Sequence, residues 1–65
     1  MNLIEGLQKE MNRCRELRKQ YVEIGAPGFF GRSMIDAAIK QGEDSIAAND
    51  ILSMLRAHKQ LESIE

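Results

Sequence analysis

The chain has 65 residues, a formal net charge of −1 and a single cysteine. A single cysteine excludes an internal disulfide. The near-neutral net charge gives no bulk attraction for nucleic acid. A chain of this length buries only about 60% of the surface that its unfolded form exposes. Natural scaffolds of this size usually need a disulfide, a metal or partner subunits, so we expect one domain spanning residues 1–65 that self-association completes.

The charges are unevenly distributed. Residues 1–32 carry six basic and four acidic side chains, whereas residues 33–65 carry three basic and six acidic ones. This asymmetry suits packing of one half on the other, within a chain or between chains. The sequence has no apolar run of membrane-spanning length and no signal peptide. We therefore expect a cytoplasmic protein without membrane contact.

The first predicted helix covers residues 2–23. Its apolar residues recur with the period of a helix and form the wide stripe that a bundle helix buries. The stripe consists of Leu3, Ile4, Leu7, Met11, Cys14, Leu17, Tyr21 and Ile24. Arg18 falls within this stripe, so it either extends its charged end to solvent or reaches a carboxylate or a ligand.

The segment 24–33 holds three of the five glycines, the only proline and both phenylalanines. Gly25 is placed for a left-handed cap at the end of the first helix. Pro27 favours a second helix that begins near residue 27, because proline suits the first helical position. Ser33, with an aspartate three residues later, favours a start near residue 33.

The two possible starts have different consequences. The early start makes Phe29 and Phe30 helix side chains that cap the end of a bundle. The late start leaves a glycine loop whose N–H groups are free to hold an anion. The sequence leaves both starts open.

The second helix is predicted to end at residue 48. Its stripe consists of Ile35, Ala38, Ile39, Gly42 and Ile46, with Met34 and Ser45 beside it. A glycine inside a helix costs about 1 kcal/mol relative to alanine. Close approach of another backbone would offset that cost, so we expect a tight helix–helix contact at Gly42.

The third helix is predicted over residues 50–63, after the N-cap residues Asn49 and Asp50. Its stripe consists of Ile51, Met54, Leu55, His58 and Leu61. Leu52 lies off this stripe and could mark a second contact surface.

The sequence therefore predicts an all-α protein, a small antiparallel three-helix arrangement over about residues 2–23, 27 or 33 to 48, and 50–63. We expect oligomerisation to complete it. The residues expected at the interface between subunits are Leu7, Met11, Ile35, Ile39, Gly42, Leu52, Leu55 and His58.

The case for catalysis is weak. His58, with Glu62 one turn later, could act in acid–base chemistry, but no nucleophile has a recognisable spacing from it. Cys14 lies in an apolar stripe, where a buried and inert thiol is the better interpretation. Because Cys14 and His58 are the only cysteine and histidine, metal-ligand spacing is missing as well. We predict a protein that is not an enzyme and needs no cofactor or metal.

A cluster of basic residues in the first helix does not predict nucleic-acid binding. Acidic residues are interleaved with this cluster, which consists of Arg13, Arg15, Arg18 and Lys19. A nucleic-acid-binding helix usually carries a basic stripe without such acids. A solvated helix face is the better interpretation.

The segment 25–32 is the candidate ligand site. This segment would suit a phosphate-bearing ligand such as a nucleotide. It combines glycine N–H groups, the positive end of a helix dipole, an arginine and two aromatic rings. The candidate residues are Arg18, Tyr21, Gly28, Phe29, Phe30, Gly31, Arg32 and Ser33. The sequence is not a P-loop. The competing interpretation is a helix corner whose phenylalanines plug the bundle and whose glycines only turn the chain.

Three stretches carry a resemblance to a known group of proteins. They are Met1-Asn2-Leu3-Ile4-Glu5-Gly6-Leu7 with Glu10-Met11-Asn12-Arg13, then Gly25-x-Pro27-Gly28-x-Phe30-Gly31, and Met54-Leu55-Arg56 after a helix that ends near Asp50. The chain resembles small helical proteins of unassigned function from phages and prophages of Gram-negative bacteria. The resemblance implies a setting in the host cytosol. It also implies action without catalysis, by occluding a host protein or sequestering a defence signal.

We therefore expect a non-enzymatic accessory or counter-defence protein that binds and sequesters its partner through self-associated helices. One alternative is an oligomeric sponge for a nucleotide or another phosphate-bearing ligand at residues 25–32. A second alternative is a structural or regulatory helical oligomer.

Overall fold

The first and third helices begin at side-chain caps. In a computed structural model that describes residues 2–65, α1 spans Leu3–Ile24, α2 spans Phe29–Ala47 and α3 spans Ile51–Glu62. At the start of α1, the Asn2 side chain accepts a hydrogen bond of 2.8 Å from the Glu5 N–H. At the start of α3, the Asp50 carboxylate accepts bonds from the N–H and the hydroxyl of Ser53, at 3.3 and 2.8 Å. The predicted all-α class with three helices is confirmed, and residues 2–65 contain no strand.

The second helix has the early start. A 3-10 turn at Ala26–Gly28, which contains Pro27, leads directly into α2. The Gly28 N–H donates to the Gly25 carbonyl at 2.9 Å, which closes this turn. Ser33 lies inside α2 rather than at its cap, so the alternative start near residue 33 is wrong. The fixed φ of proline favours the first turn of a helix and explains this outcome.

Gly25 ends α1 at the predicted position. Its φ is +83°, and its N–H donates to the Val22 carbonyl at 3.1 Å. Its ψ of −139° lies outside the left-handed helical region, in a part of conformational space that is nearly restricted to glycine. Glycine is therefore required here for its backbone conformation, although the predicted left-handed cap geometry is not the one adopted.

All three helices contribute to a single core. The buried apolar residues are Leu7, Met11 and Cys14 from α1, Ile35, Ala38 and Ile39 from α2, and Met54, Ala57 and Leu61 from α3. Gly42 is also buried, and a Cβ there would lie 2.8 Å from the Met11 sulfur. The predicted close contact at Gly42 is therefore present, but a side chain of α1 makes it rather than a backbone.

The core face of α3 differs from the predicted stripe. Ile51 and Leu55 are 65% and 52% exposed, whereas Met54, Ala57 and Leu61 are buried. Residues at spacings of three and four share one helix face, and the buried set has this spacing. The neighbouring face, with Ile51 and Leu55, is left outside the core.

Most of the residues predicted to lie between subunits are instead inside the chain. Leu7, Met11, Ile35, Ile39 and Gly42 are buried in the core or against it, so intramolecular contacts occupy their side chains. Of the predicted interface residues, Leu52 and Leu55 are exposed and His58 is half-buried.

No helix within residues 2–65 combines the length and the apolar character needed to cross a membrane.

Candidate functional site

Tyr21 organises the corner between α1 and α2. A Cβ added at Gly28 would overlap the Tyr21 carbonyl oxygen, and one added at Gly31 would lie 2.5 Å from Cε1 of the Tyr21 ring. The start of α2 therefore lies against Tyr21 at a distance that only residues without a Cβ allow. These two glycines serve helix packing, and the glycine loop with free N–H groups, which a late start of α2 would have left, is not formed.

The Tyr21 hydroxyl extends this corner to the third helix. It donates a 3.1 Å hydrogen bond to the Glu65 carbonyl, in the segment that follows α3. Ile64, in the same segment, packs partly buried against the core. Contacts from all three helices or their flanking segments thus hold Tyr21 in place.

Phe29 and Phe30 do not plug the bundle, so this part of the helix-corner interpretation is wrong. Their exposed fractions are 59% and 75%. Successive helix residues are rotated by about 100°, so the inward positions of Gly28 and Gly31 direct the two intervening rings away from the core. We call these two rings, with the exposed side chains of Val22, Ile24 and Met34 that are close to them in sequence, the corner surface.

Arg32 lies on the α1 side of this surface. Its guanidinium carbon is 5.1 Å from the centre of the Phe29 ring, within the range of a cation–π contact. Its Nε is buried and has no hydrogen-bond partner among residues 2–65. Beside it is a hollow of about 120 Å³ lined by Tyr21, Val22, Gly25, Ala26, Phe29 and Arg32. Small-molecule sites usually occupy about 300–1,000 Å³, so one chain alone does not enclose a nucleotide here.

Two other candidate ligand residues lie apart from the hollow. Arg18 forms an ion pair through its Nε with Asp36 Oδ1, which links α1 to α2. Its position in the α1 stripe is thereby explained by a carboxylate partner. Ser33 is exposed on α2 and does not line this hollow.

A second apolar feature lies between the start of α1 and the α2–α3 connection. It is a cleft of about 300 Å³, which we call the end cleft, lined by Asn2, Leu3, Ile4, Asn49, Ile51 and Met54. Met54 is buried, whereas Ile4 and Ile51 are exposed. No pattern in the sequence predicted this cleft. Leu52, which was predicted to mark a second contact surface, is exposed at the same end of α3.

The sulfur of Cys14 is buried. Its S–H donates to the Leu61 carbonyl at 3.6 Å, and desolvation raises the pKa of the thiol despite the opposing charge of Arg13. A thiol with a raised pKa is mostly protonated at neutral pH and is a poor nucleophile. This agrees with the interpretation of Cys14 as a packing residue.

His58 lies elsewhere in the bundle, against Gly6, about two helical turns along α1 from Cys14. Its Nδ1 is 3.7 Å from the nearer carboxylate oxygen of Glu62, as the one-turn spacing indicated. The described chain contains no group of three histidine, cysteine or acidic residues that could hold a metal ion.

The four residues of the basic cluster in α1 have partners within the chain. Arg13 donates to Glu10 at 2.8 Å and to the Leu61 carbonyl at 2.7 Å, where α3 ends. Lys19 lies 3.1 Å from Glu16. These contacts explain the interleaved acids as intrahelical partners and give Arg13 a role in joining α1 to α3.

No known protein family, curated protein or solved structure matches this chain.

Proposed function

We propose that this chain is a non-enzymatic binding protein, an antiparallel three-helix unit that self-associates and acts by binding and sequestering a partner protein. The observation that carries this proposal is the corner surface. Two phenylalanine rings are adjacent on one helix end and remain largely exposed, although the same segment packs closely on Tyr21.

Energy considerations support a binding role for this surface. Burying a phenylalanine side chain fully is worth about 1.5–3 kcal/mol relative to leaving it exposed. A 65-residue chain with a small core leaves most of that energy unused at both Phe29 and Phe30. Aromatic residues are enriched where proteins bind one another. Because the rings are on a regular helix, binding requires little ordering of the backbone.

The resemblance to small phage and prophage proteins supplies the proposed setting. In that setting the protein works in the cytoplasm of a bacterial host as an accessory or counter-defence factor. Its partner would be a host protein whose function is blocked by occlusion.

Native mass measurement tests the self-association. We expect the wild-type chain to form oligomers at about 50 μM, and Phe29→Glu/Phe30→Glu to be monomeric with an unchanged helical circular-dichroism spectrum. The matched control is Asn12→Asp/Gln41→Glu, which adds the same two negative charges at exposed positions away from the corner. A wild-type chain that remains monomeric would refute the proposal.

The nucleotide-sponge alternative is favoured by one observation. The Nε of Arg32 is buried next to an aromatic ring and has no hydrogen-bond partner within the part of the chain that the structure describes. An anionic ligand could accept its hydrogen bond in a site that a second subunit completes. A ligand present at 100 times its Kd stabilises the folded state by about 2.7 kcal/mol, which a thermal-shift assay detects. A panel of linear and cyclic nucleotides should raise the Tm of the wild type and not of Arg32→Gln. An unchanged Tm with every nucleotide would eliminate this alternative.

The native-mass and ligand assays, together with a pull-down from bacterial host lysate, also address the structural alternative. An oligomer that captures no host protein and responds to no nucleotide would support a structural or regulatory oligomer instead of sequestration.

A further inference from the structure

The corner surface and the end cleft lie at opposite ends of the molecule. The corner surface is at the end of α1, and the end cleft is at its start. A helix of 22 residues is about 33 Å long, which nearly equals the largest dimension of the molecule, 35 Å. A contact between these two features cannot form within one chain, but it can form between two.

The sizes of the two features are compatible. The corner surface projects two rings, and taking about 200 Å² for each ring, they expose roughly 270 Å² between them. The end cleft is a hollow of about 300 Å³ with Met54 buried behind it and Ile4 and Ile51 exposed at its sides. An apolar cavity of about 150 Å³ is enough to hold benzene. The end cleft is therefore large enough to accept a phenylalanine ring.

The charges near the two features are also complementary. Arg32 stacks on Phe29 at the corner, and the first turn of α2 contains no acidic residue. The carboxylates of Glu5 and Asp50 stand at the starts of α1 and α3, which form the other end. Glu23, in the last turn of α1, is the acidic residue nearest the corner in sequence. Approach of a corner to an end cleft brings Arg32 towards two carboxylates, whereas approach of two end clefts brings carboxylates together.

We propose that copies of this chain associate head to tail, with Phe29 and Phe30 of one copy seated in the end cleft of the next. This inference rests on the proposed self-association and specifies which surfaces meet. Such an interface joins two different surfaces, so an open assembly keeps one unused corner surface at one end and one unused end cleft at the other. Heterologous contacts of this kind form a closed ring or an open filament.

Two double variants test the arrangement. The corner variant is Phe29→Glu/Phe30→Glu, and the cleft variant is Ile4→Glu/Ile51→Asp. All four positions are in the first turn of a helix, where acidic residues are favoured by the helix dipole, so both variants are expected to fold. Each change adds two charges to one surface and leaves the other intact.

Analytical ultracentrifugation then gives distinct outcomes. We expect each variant alone to associate at least roughly 30-fold more weakly than wild type, because charges replace apolar contacts at the centre of the interface. A 1:1 mixture should form a heterodimer and nothing larger, because only one intact corner and one intact cleft remain per pair. The control Asn12→Asp/Gln41→Glu should assemble like wild type.

Other outcomes overturn the head-to-tail arrangement. If the cleft variant alone associates as strongly as wild type, the copies meet corner to corner. If the corner variant alone does so, they meet cleft to cleft. A mixture that stays monomeric while the wild type assembles also refutes the proposal. In all three cases self-association itself survives, whereas a monomeric wild type would mean that the proposed function has failed.

Disulfide trapping provides a measurement that does not depend on charge changes. In a Cys14→Ala background, Phe30→Cys is mixed with Ile51→Cys under mild oxidation. The proposal expects the mixed disulfide to form at least about tenfold faster than either homodimer, since disulfides need Cα atoms within about 7 Å. Equal rates for the mixed and homodimeric products would contradict it.

Discussion

Gly28→Ala tests whether the start of α2 is held against Tyr21 by the absence of a side chain. The added Cβ would overlap the Tyr21 carbonyl oxygen and lie 3.2 Å from the carbonyl carbon. These are backbone atoms within α1, so they cannot move aside as the end of a flexible side chain can. We expect the corner to open, with loss of the contacts between the start of α2 and Tyr21.

The magnitude follows from overpacking. Forcing an extra carbon into a tightly packed site typically costs about 1–3 kcal/mol. Gly28 has φ −88° and ψ −2°, which alanine adopts readily, so backbone strain adds nothing to this cost. The smaller conformational freedom of alanine in the unfolded chain offsets about 0.4–1 kcal/mol of it. Because the overlapped atoms are backbone, we take the upper half of the overpacking range, which leaves a net loss of at least about 1 kcal/mol. For a domain of this size, 1 kcal/mol corresponds to a change in Tm of about 4–8 °C. We therefore expect the Tm to fall by at least about 4 °C.

Gly6→Ala is the matched control. Gly6 lies within α1, with its N–H bonded to the Asn2 carbonyl at 3.0 Å. A Cβ there would lie 3.6 Å from Nε2 of His58, which is an ordinary van der Waals contact. The gain in helix propensity of about 1 kcal/mol is then unopposed, so the same chemical change should raise the Tm.

Circular dichroism at fixed protein concentration measures both variants, during heating and in urea. Opposite signs for the two substitutions support the packing argument. If Gly28→Ala is as stable as wild type or more stable, Gly28 does not pack on Tyr21 as described and the reasoning fails.

Three further predictions concern the core and the helix ends. Arg13→Gln should lower the free energy of unfolding by about 1 kcal/mol, because it removes the charged donor from the Leu61 carbonyl. Lys19→Gln, at an exposed ion pair, should change the free energy of unfolding little. Urea denaturation measures both variants. Cys14 should react with Ellman's reagent only after unfolding, since burial raises the pKa of its thiol, so a native rate close to that in urea would contradict this. Hydrogen bonds from Ser53 lower the pKa of Asp50 in the folded chain from its usual 3.8. The contribution of Asp50 to stability is therefore complete above pH 3.8 and is lost as the pH falls through the lower pKa of the folded chain. Asp50→Asn keeps a capping residue and should show a weaker loss of stability below about pH 4 in acid titrations followed by circular dichroism.

Most helix limits were predictable because local chemistry determines them, although the start of α2 was left open between residues 27 and 33. Asn2 and Asp50 are residues whose side chains accept the free N–H groups of a first helical turn, and both do so. Gly25 stands where α1 ends, and Pro27 stands where the next turn begins. None of these features depends on a residue distant in the sequence.

The core face of α3 was not predictable in the same way. Apolar residues occur on most sides of this helix, including the exposed Ile51 and Leu55 and the buried Met54 and Leu61. Hydrophobicity ranks these residues alike, and only the positions of α1 and α2 decide which of them are buried. Tertiary contacts therefore determine which face of α3 is buried, and the periodicity of one helix does not predict it.

The roles of the corner glycines were ambiguous for a different reason. A glycine serves either an unusual backbone conformation or a close approach, and the sequence does not state which. Gly25 has the unusual conformation, whereas Gly28 and Gly31 permit a close approach to Tyr21. One signal could have distinguished them: Gly28, Gly31 and Ile35 follow the spacing of three and four that continues the inward face of α2.

The order Gly28-Phe29-Phe30-Gly31 reverses the usual arrangement of an amphipathic helix, because the small residues face inward and the large apolar ones face solvent. Folding of one chain therefore gains little from either ring. It follows that stability and association should respond separately at adjacent positions. Gly28→Ala should lower the Tm, whereas Phe29→Glu/Phe30→Glu should abolish association and leave the folded chain at least as stable, since acids favour a first helical turn. If the phenylalanine variant unfolded the chain instead, the rings would be part of the core and could not be a surface kept for binding.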